Sequence, residues 1–518
     1  MDTQLISVIF GMKLRQARTE AGLTLSEFAS QSELSPSYMT EVEKGRKYPR
    51  ADKIMRMATV LGKEYDELVS ISLDPSLADL QTTLGSSFMR KFPFEEFGLE
   101  MSNLVDLLTR APDKASALLH AIIEVGRQFD LRDEHFLLAA LRSYQEYHEN
   151  YFPEVESAAA AFAQEHDLIG ETPLRLESVE EIIQTKYGYE LDNDMLAQEP
   201  TLSNYRSVFV KGKQPKLLLN MQLSTTQRRF SIAREMGYRV LGLTERANTS
   251  SPDRVDSFAQ VLNDYKASYF AGALLMPRAL IVQDIEEFFA RTTWAPEPLF
   301  AMMEKYDVTP EMLLYRFSQL IPEFFGAKMH FLRLEDVLPE EVDDTVERYK
   351  LVKQFNMNRL LTPSGIALDE HFCRRWLVTR LLKELRSEDP TDESTASGMV
   401  HMPMADHDMV IGAQMSEFLD SRDRFLCFGF ARPLQTEGSI NSTVIVGFRV
   451  DSDLPNTIKF MNDPAIPFIT INETCERCPL VGDQCTLRAF EPVVLEKHKA
   501  IAERKEALGK LVAKLREA

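Results

Sequence analysis

Residues 23 to 45 spell out two short helices joined by a corner too tight for most alternatives. Thr24 precedes LSEFASQS with Glu27 placed to close a capping box, so a helix starts at Leu25. Ser35 precedes PSYMTEVEKG, with Pro36 at the first helical position and Gly45 just past the end. Only QSELSP separates the two helices. Such a corner lets the second helix lie in a DNA major groove while the first braces it on the backbone. A preceding helix over VIFGMKLRQARTEAG, stopped by Gly22, and two more around ADKIMRMATVLG and YDELVSI complete a five-helix unit.

The chain carries a formal charge of -20, which opposes nucleic-acid binding by its surface at large. The distribution reverses that expectation locally. Lys44, Arg46, Lys47, Arg50, Lys53 and Arg56 are opposed only by Asp52, so one basic face stands out from an acidic body. The segment resembles the Xre family of repressor-type helix-turn-helix domains, through Leu23-Thr24, Phe28-Ala29, Leu34 and the run Tyr38 to Gly45. That resemblance implies an internal ion pair between Arg18 and Glu43. It also implies that Ser37, Thr40 and Glu41 project into the groove beside Pro36 and Tyr38. Glu41 can accept from a cytosine amino group. Lys44, Arg46, Lys47 and Arg50 are expected on phosphates, where they position the protein without reading sequence. Such domains usually bind double-stranded operators as homodimers on two half-sites.

A chain of 518 residues exceeds one compact core, and four regions are expected. Residues 1–75 form the helix-turn-helix domain and 80–165 a helical linker or dimerisation region, with apolar faces in NLVDLLTRA and ASALLHAIIEVGRQF. Residues 166–325 alternate short strands, YRSVFVKG and KLLLNM, with long helices; 326–518 mix strands at MHFLRLED, FLCFGFARP and STVIVGFRV with a charged terminal helix. The expected fold class is therefore multidomain and mainly α with α+β parts. No run of apolar residues reaches membrane-spanning length, and the N-terminus has no signal-peptide pattern, so the expected location is the cytoplasm.

RRFSIAREMGYRVL followed by NDYKASYFAGALLMP resembles the ImmA/IrrE family of zincin-like peptidase domains. Arg229, Phe230, Ala233, Glu235 and Gly237 match its first helix; Ala267, Phe270, Ala271, Leu274, Leu275, Met276 and Pro277 match its second. The departures lie at the two metal-binding histidines, replaced by Arg234 and Tyr238. Two imidazoles four apart on one helical face hold zinc. A guanidinium keeps its proton and cannot replace them, and Glu235 without a metal has no acidified water to work on. The domain is expected to be a non-enzymatic pseudo-peptidase. Arg228, Arg229, Arg234 and Lys216 would favour an anionic ligand; alternatively, Arg234 pairs with Glu235 or Asp264 and fills the old metal cavity.

CERCPLVGDQC gathers Cys475, Cys478 and Cys485. A CxxC turn offers two thiolates to one metal, and a third close by nearly completes a site. Cys373, followed by two arginines, is the favoured fourth ligand; Cys427, amid apolar residues, reads as inert. Zinc and iron–sulfur both accept four thiolates. The order of domains, the C-x-x-W at Cys373 and the C-x-x-RAF-x-P ending resemble the short-chain fatty acyl transcriptional regulators over essentially the full chain. That resemblance implies regulation of acetate and propionate metabolism, acyl-CoA as effector, and a 4Fe–4S cluster on Cys373, Cys475, Cys478 and Cys485. It also places Tyr269 in the CoA pocket. The loop between Cys478 and Cys485 is longer than the family's usual spacing. Competing readings are a redox- or iron-responsive regulator, with zinc or iron–sulfur as the signal, and an ImmA-like anti-repressor peptidase.

Overall fold

The structure, a computed structural model, describes residues 3–70, 93, 95–98, 133–202, 205–249, 255–336, 349–358, 370–386, 398–403, 408–434 and 440–517. The chain divides into two compact units, Met1–Tyr144 with Arg254–Phe258, and Gln145–Asp253 with Ala259–Ala518. The helices expected over residues 103–129 and the linker near residue 75 lie outside the described residues.

The first unit opens with α1 (Thr3–Glu20), α2 (Leu25–Gln31), α3 (Pro36–Glu43), α4 (Ala51–Leu61) and α5 (Tyr65–Val69). The start signals act as expected. Thr24 and Glu27 form the reciprocal capping box, and the Ser35 hydroxyl accepts from the Tyr38 N–H. Phe10, Leu14, Phe28, Met39, Val42, Ile54 and Met57 meet in one core. α1 presses on the end of α3 at Gly11, where an added Cβ would stand 2.5 Å from the Val42 carbonyl oxygen. Arg18 forks onto Glu43 at 2.6 and 3.0 Å and also donates to the Leu23 carbonyl, tying α1 to the end of α3. The expected ion pair is present. α6 (Asp133–Tyr147) is the next long helix described.

The second unit continues with α7 (Pro153–Glu165) and α8 (Leu176–Thr185). A three-stranded sheet follows, of β1 (Glu190–Asp192), β2 (Ser207–Val210) and β3 (Lys216–Leu219) in the order β1-β3-β2, so β2 is an edge. Five helices come next: α9 (Thr225–Val240), α10 (Phe258–Leu275), α11 (Arg278–Phe289), α12 (Glu297–Tyr306) and α13 (Pro310–Phe325). Gly237 lets α9 and α10 touch; a Cβ there would lie 2.9 Å from the Ala267 carbonyl oxygen. That close crossing gives the Gly237 and Ala267 matches a packing reason.

The remainder builds a seven-stranded sheet. Its strands are β4 (Met329–Asp336), β5 (Tyr349–Asn356), β6 (Met399–Pro403), β7 (Asp408–Phe418), β8 (Arg424–Pro433), β9 (Asn441–Arg449) and β10 (Phe468–Ile471). The order is β10-β7-β8-β9-β4-β5, with β6 also paired to β7. Helix α14 (Leu377–Leu385) covers one face through Leu377, Val378, Leu381 and Leu382. The other face meets α11, where Phe288 and Phe289 stand edge-on to Phe428 and Phe448. Burial on both faces explains why β8 and β9 read as near-continuous apolar runs. Arg432 of β8 forks onto Glu311 of α13 at 2.9 and 3.1 Å. Burial pushes the Glu311 carboxyl up, and the Arg432 guanidinium more than reverses this, holding it at about 2. The helical part and the large sheet therefore share one core. The exposed terminal helix, α15, spans Val493–Glu517.

Candidate functional site

The basic face of the first unit stands on α3 and the turn after it. Pro36, Ser37, Arg46, Lys47 and Arg50 are exposed, and Tyr38, Thr40, Glu41 and Lys44 are partly so. Gly45 turns the chain with φ +70° as Arg46 and Lys47 donate their backbone N–H groups to the Glu41 carbonyl. This fold-back aims both side chains at the α3 side. Lys53 lies 3.9 Å from the Tyr38 ring centroid and Lys47 5.9 Å, so the aromatic face steadies two cations. Glu41 receives Arg46 at 3.2 Å, and Thr40 donates to the Pro36 carbonyl. The Thr40 hydroxyl and the second Glu41 oxygen remain able to accept from a base. The predicted groove-facing and phosphate-facing residues are thus gathered on one surface.

The cleft of the second unit lies where α9, α10 and the edge of β2 meet. Arg234 and Tyr238, four apart on α9, both donate to Oδ1 of Asp264 on α10, Tyr238 at 2.7 Å. The spacing that suits two zinc ligands thus delivers a guanidinium and a phenol to one carboxylate. Glu235 is 3% exposed and does not pair with Arg234. It receives both arms of Arg246 at 2.5 and 2.7 Å and the Tyr189 hydroxyl at 2.6 Å. Arg246 is stacked on Tyr238 at 3.8 Å and on Phe209 at 4.0 Å. Burial, followed by the Glu235 charge, raises the Tyr189 phenol well above its ordinary range, so it stays a donor. Asp264 and Glu235 are thus each paired with an arginine.

The other predicted anion-binding residues are each engaged within the chain. Arg228 pairs with Glu180, Arg229 with Asp307 and the Leu174 carbonyl, and Lys216 with Glu190. Tyr269 is fully buried and donates to Glu156 at 2.8 Å. Glu156 is itself forked by the buried Arg316 at 2.6 and 3.0 Å. Arg246 and Tyr189 escaped sequence reasoning. TERANT has no helical or strand periodicity, and nothing local in it marks an arginine for Glu235.

Cys373 neighbours Cys475 and Cys478 in the second unit. Phe372 bridges Thr474, the Cys475 N–H donates to the His371 carbonyl, and the Cys373 N–H donates to the Glu473 carbonyl. Burial pushes the Cys373 thiol up to about 12; backbone N–H groups of Asn472 and Arg375 act against that, and the neighbouring Cys475 and Cys478 act with it. Arg488 donates to the Cys475 carbonyl at 2.8 Å, to Leu480 at 3.1 Å and to Cys478 at 2.5 Å, clamping the CxxC turn. Asn472 buries its Nδ2 beside Cys373, without a hydrogen-bond partner among the described residues. Cys485 follows on a 3-10 turn and is partly exposed. The buried Cys373 thiol, with its backbone N–H donors, suits a thiolate-bound metal in donor type. Among the described residues, however, no group of three or more His, Cys, Asp or Glu side chains closes to metal-holding distances. Cys427 belongs to the same apolar core as Cys373 and lies near Ser416, its thiol pushed by burial up to about 12.

Residues 9–69 match the family described as a helix-turn-helix domain, and residues 195–318 match the IrrE N-terminal-like domain family. No curated protein matches the chain. Among solved structures, a Mycobacterium tuberculosis transcriptional regulator is similar at 16% identity and a TM-score of 0.43, covering 67% of this chain and 92% of its own. By the two family matches, the chain carries an Xre-type helix-turn-helix domain and an IrrE/ImmA-like domain. Among the described residues no helix is long and apolar enough to cross a membrane.

Proposed function

We propose that this chain is a sequence-specific transcriptional regulator acting in the cytoplasm, with a body that binds ligands and does not hydrolyse peptides. The observation that carries the first half is the exposed Arg46, Lys47 and Arg50 beside α3, a basic face on a chain of charge -20. The cleft supports the second half. Arg234 and Tyr238 stand at the metal-ligand positions, and Glu235 is held by Arg246 instead of facing a water. Neither arginine can shed its proton to become a ligand.

The finer reading follows the resemblance to short-chain fatty acyl regulators. A short-chain acyl-CoA is the effector; Arg228, Arg229, Arg234 and Lys216 would take its phosphates by exchanging their present carboxylates. The protein acts as a homodimer on two half-sites. Cys373, Cys475, Cys478 and Cys485 would hold a 4Fe–4S cluster, with zinc as the alternative. Such a group supplies a redox-active centre if iron–sulfur and a structural cross-link if zinc. The pairing of Arg234 with Asp264 and of Glu235 with Arg246 inside the cleft favours a second reading, in which the metal group is itself the redox or iron signal.

Two experiments test these readings. Selection of genomic fragments by the purified full chain should enrich a two-fold symmetric site, and acyl-CoA should shift its affinity by roughly 5- to 150-fold, the range of ordinary allosteric coupling. Equal retention of all fragments ends the regulator reading; an unmoved affinity ends acyl-CoA sensing. Anaerobic purification with metal analysis should return iron and sulfide, and Cys475→Ser should lose them. Metal content unchanged by Cys475→Ser removes the cysteine site, whereas stoichiometric zinc selects the alternative.

A further inference from the structure

Four neighbouring strands set a notch into the face of the large sheet that α14 covers. Gln414 of β7, Cys427 of β8, Gly447 of β9 and His330 of β4 pair in one row, so their side chains share that face. Gly447 leaves the gap in the row. An added Cβ there would overlap the His330 imidazole and stand 2.8 Å from the Cys427 Sγ. His330 and Cys427 border a cavity of about 20 Å³, room for one water-sized molecule. Its wall is mainly carbon, from side chains such as Leu332, Leu377, Phe425 and Ile445, all buried. The polar atoms of the wall are not alike. Ser416 accepts the Gln414 amide at 2.8 Å and bonds the Cys427 thiol, so these groups are turned to one another. His330 is uncharged, because burial drives its pKa down to about 3. The Asn358 Nδ2 lies 3.1 Å from His330 Nδ1 and donates to the Gly447 carbonyl at 2.9 Å. Turning that amide over would set its oxygen against the carbonyl, so Nδ1 accepts and the ring proton sits on Nε2. Among the described residues Nε2–H meets no acceptor. A buried water needs two to four polar partners, more than this wall offers. A diatomic molecule with one weakly accepting end and an otherwise apolar body matches a single donor on a carbon wall.

We propose that this cavity between α14 and the large sheet is a receptor site for an uncharged diatomic gas, oriented by the Nε2–H of His330. The site is separate from the acyl-CoA and metal readings and needs neither. It is placed to report its own occupancy. Trp376 also lines the cavity; its indole donates to the Asn472 carbonyl at 2.6 Å and its backbone N–H to the Cys373 carbonyl at 3.1 Å. A molecule that displaces this ring therefore moves the turn that carries Cys373.

The test uses the full-length protein with two probes, xenon, which accepts no hydrogen bond, and carbon monoxide, which accepts a weak one and leaves thiols unreacted. Xenon NMR should show one saturable site. Carbon monoxide should give a narrow infrared stretching band, set apart from that of the dissolved gas and displaced by xenon. Ile445→Phe fills the cavity and should remove both signals; Leu377→Phe serves if that variant does not fold. His330→Leu, or His330→Phe in its place, removes the donor. Either should lower carbon monoxide affinity relative to xenon by roughly 2- to 10-fold, what one neutral hydrogen bond contributes. Dioxygen and nitric oxide, added separately against xenon, rank the members of the class. A folded wild-type protein without a saturable xenon site overturns the proposal. So does an unchanged ratio of the two affinities in a folded His330 variant, which would leave only a packing void. Operator binding by the same samples is scored separately, so failure of the gas site is distinguishable from failure of the regulator reading.

Discussion

Replacing Arg46, Lys47 and Arg50 together with alanine should lower affinity for duplex DNA by about five-hundred-fold at 0.1 M salt. Each phosphate contact contributes a slope of roughly 0.9 to the fall of log affinity with log salt, because a neutralised phosphate releases its counterion. Three lost contacts should flatten the slope by about 2.7, whatever the DNA sequence. The three side chains are exposed, and the nearby core rests on Met39, Val42 and Ile54, so the fold should survive. Fluorescence anisotropy against salt reads both quantities. A triple variant with the wild-type slope would show that this face does not meet the backbone. Substituting Ser37 should behave differently, changing the preferred sequence and leaving the slope alone.

The second large effect is expected far from DNA. Arg316 is 1% exposed and bonds Glu156 through two nitrogens, while Tyr269 donates to the same carboxylate. Arg316→Ala leaves a buried carboxylate facing a single phenol and should destabilise the second unit by about 3–5 kcal/mol. Replacing both partners, Arg316→Met with Glu156→Leu, should recover most of that loss, because neither charge is then stranded. The midpoint of urea unfolding measures the difference. If the double variant is as unstable as the single one, shape rather than stranded charge governs the site. The same network also places Tyr269: its hydroxyl is committed to Glu156 and the Phe152 N–H, within the core.

What could be read from the chain follows the range of the forces involved. Thr24, Glu27, Ser35, Pro36 and Gly45 act on backbone groups within a few residues, so both helices and their corner were legible. Strands β8 and β9 were legible too, as apolar runs buried on both faces. The neighbouring β7, at DMVIGAQMSEF, and the edge strand β5, at YKLVKQFN, escaped notice. In both, small or polar residues interrupt the apolar pattern, and pairing with neighbours decides the strand.

The sequence by itself determined the helix-turn-helix corner, its basic face, an arginine and a tyrosine four apart on one helix at 234 and 238, and the adjacency of Cys475 to Cys478. All of these depend on residue type and on spacing over one or two turns. Only the tertiary structure decided where the charges go. Arg234 was free, on paper, to pair with Glu235 beside it or with Asp264; the crossing of α9 and α10 at Gly237 gave it Asp264. Glu235 went instead to Arg246, brought back where the Asn248 carbonyl accepts the Phe209 N–H of β2. An ion pair is chosen by distance and burial after the chain has folded, and no local pattern encodes which partner arrives.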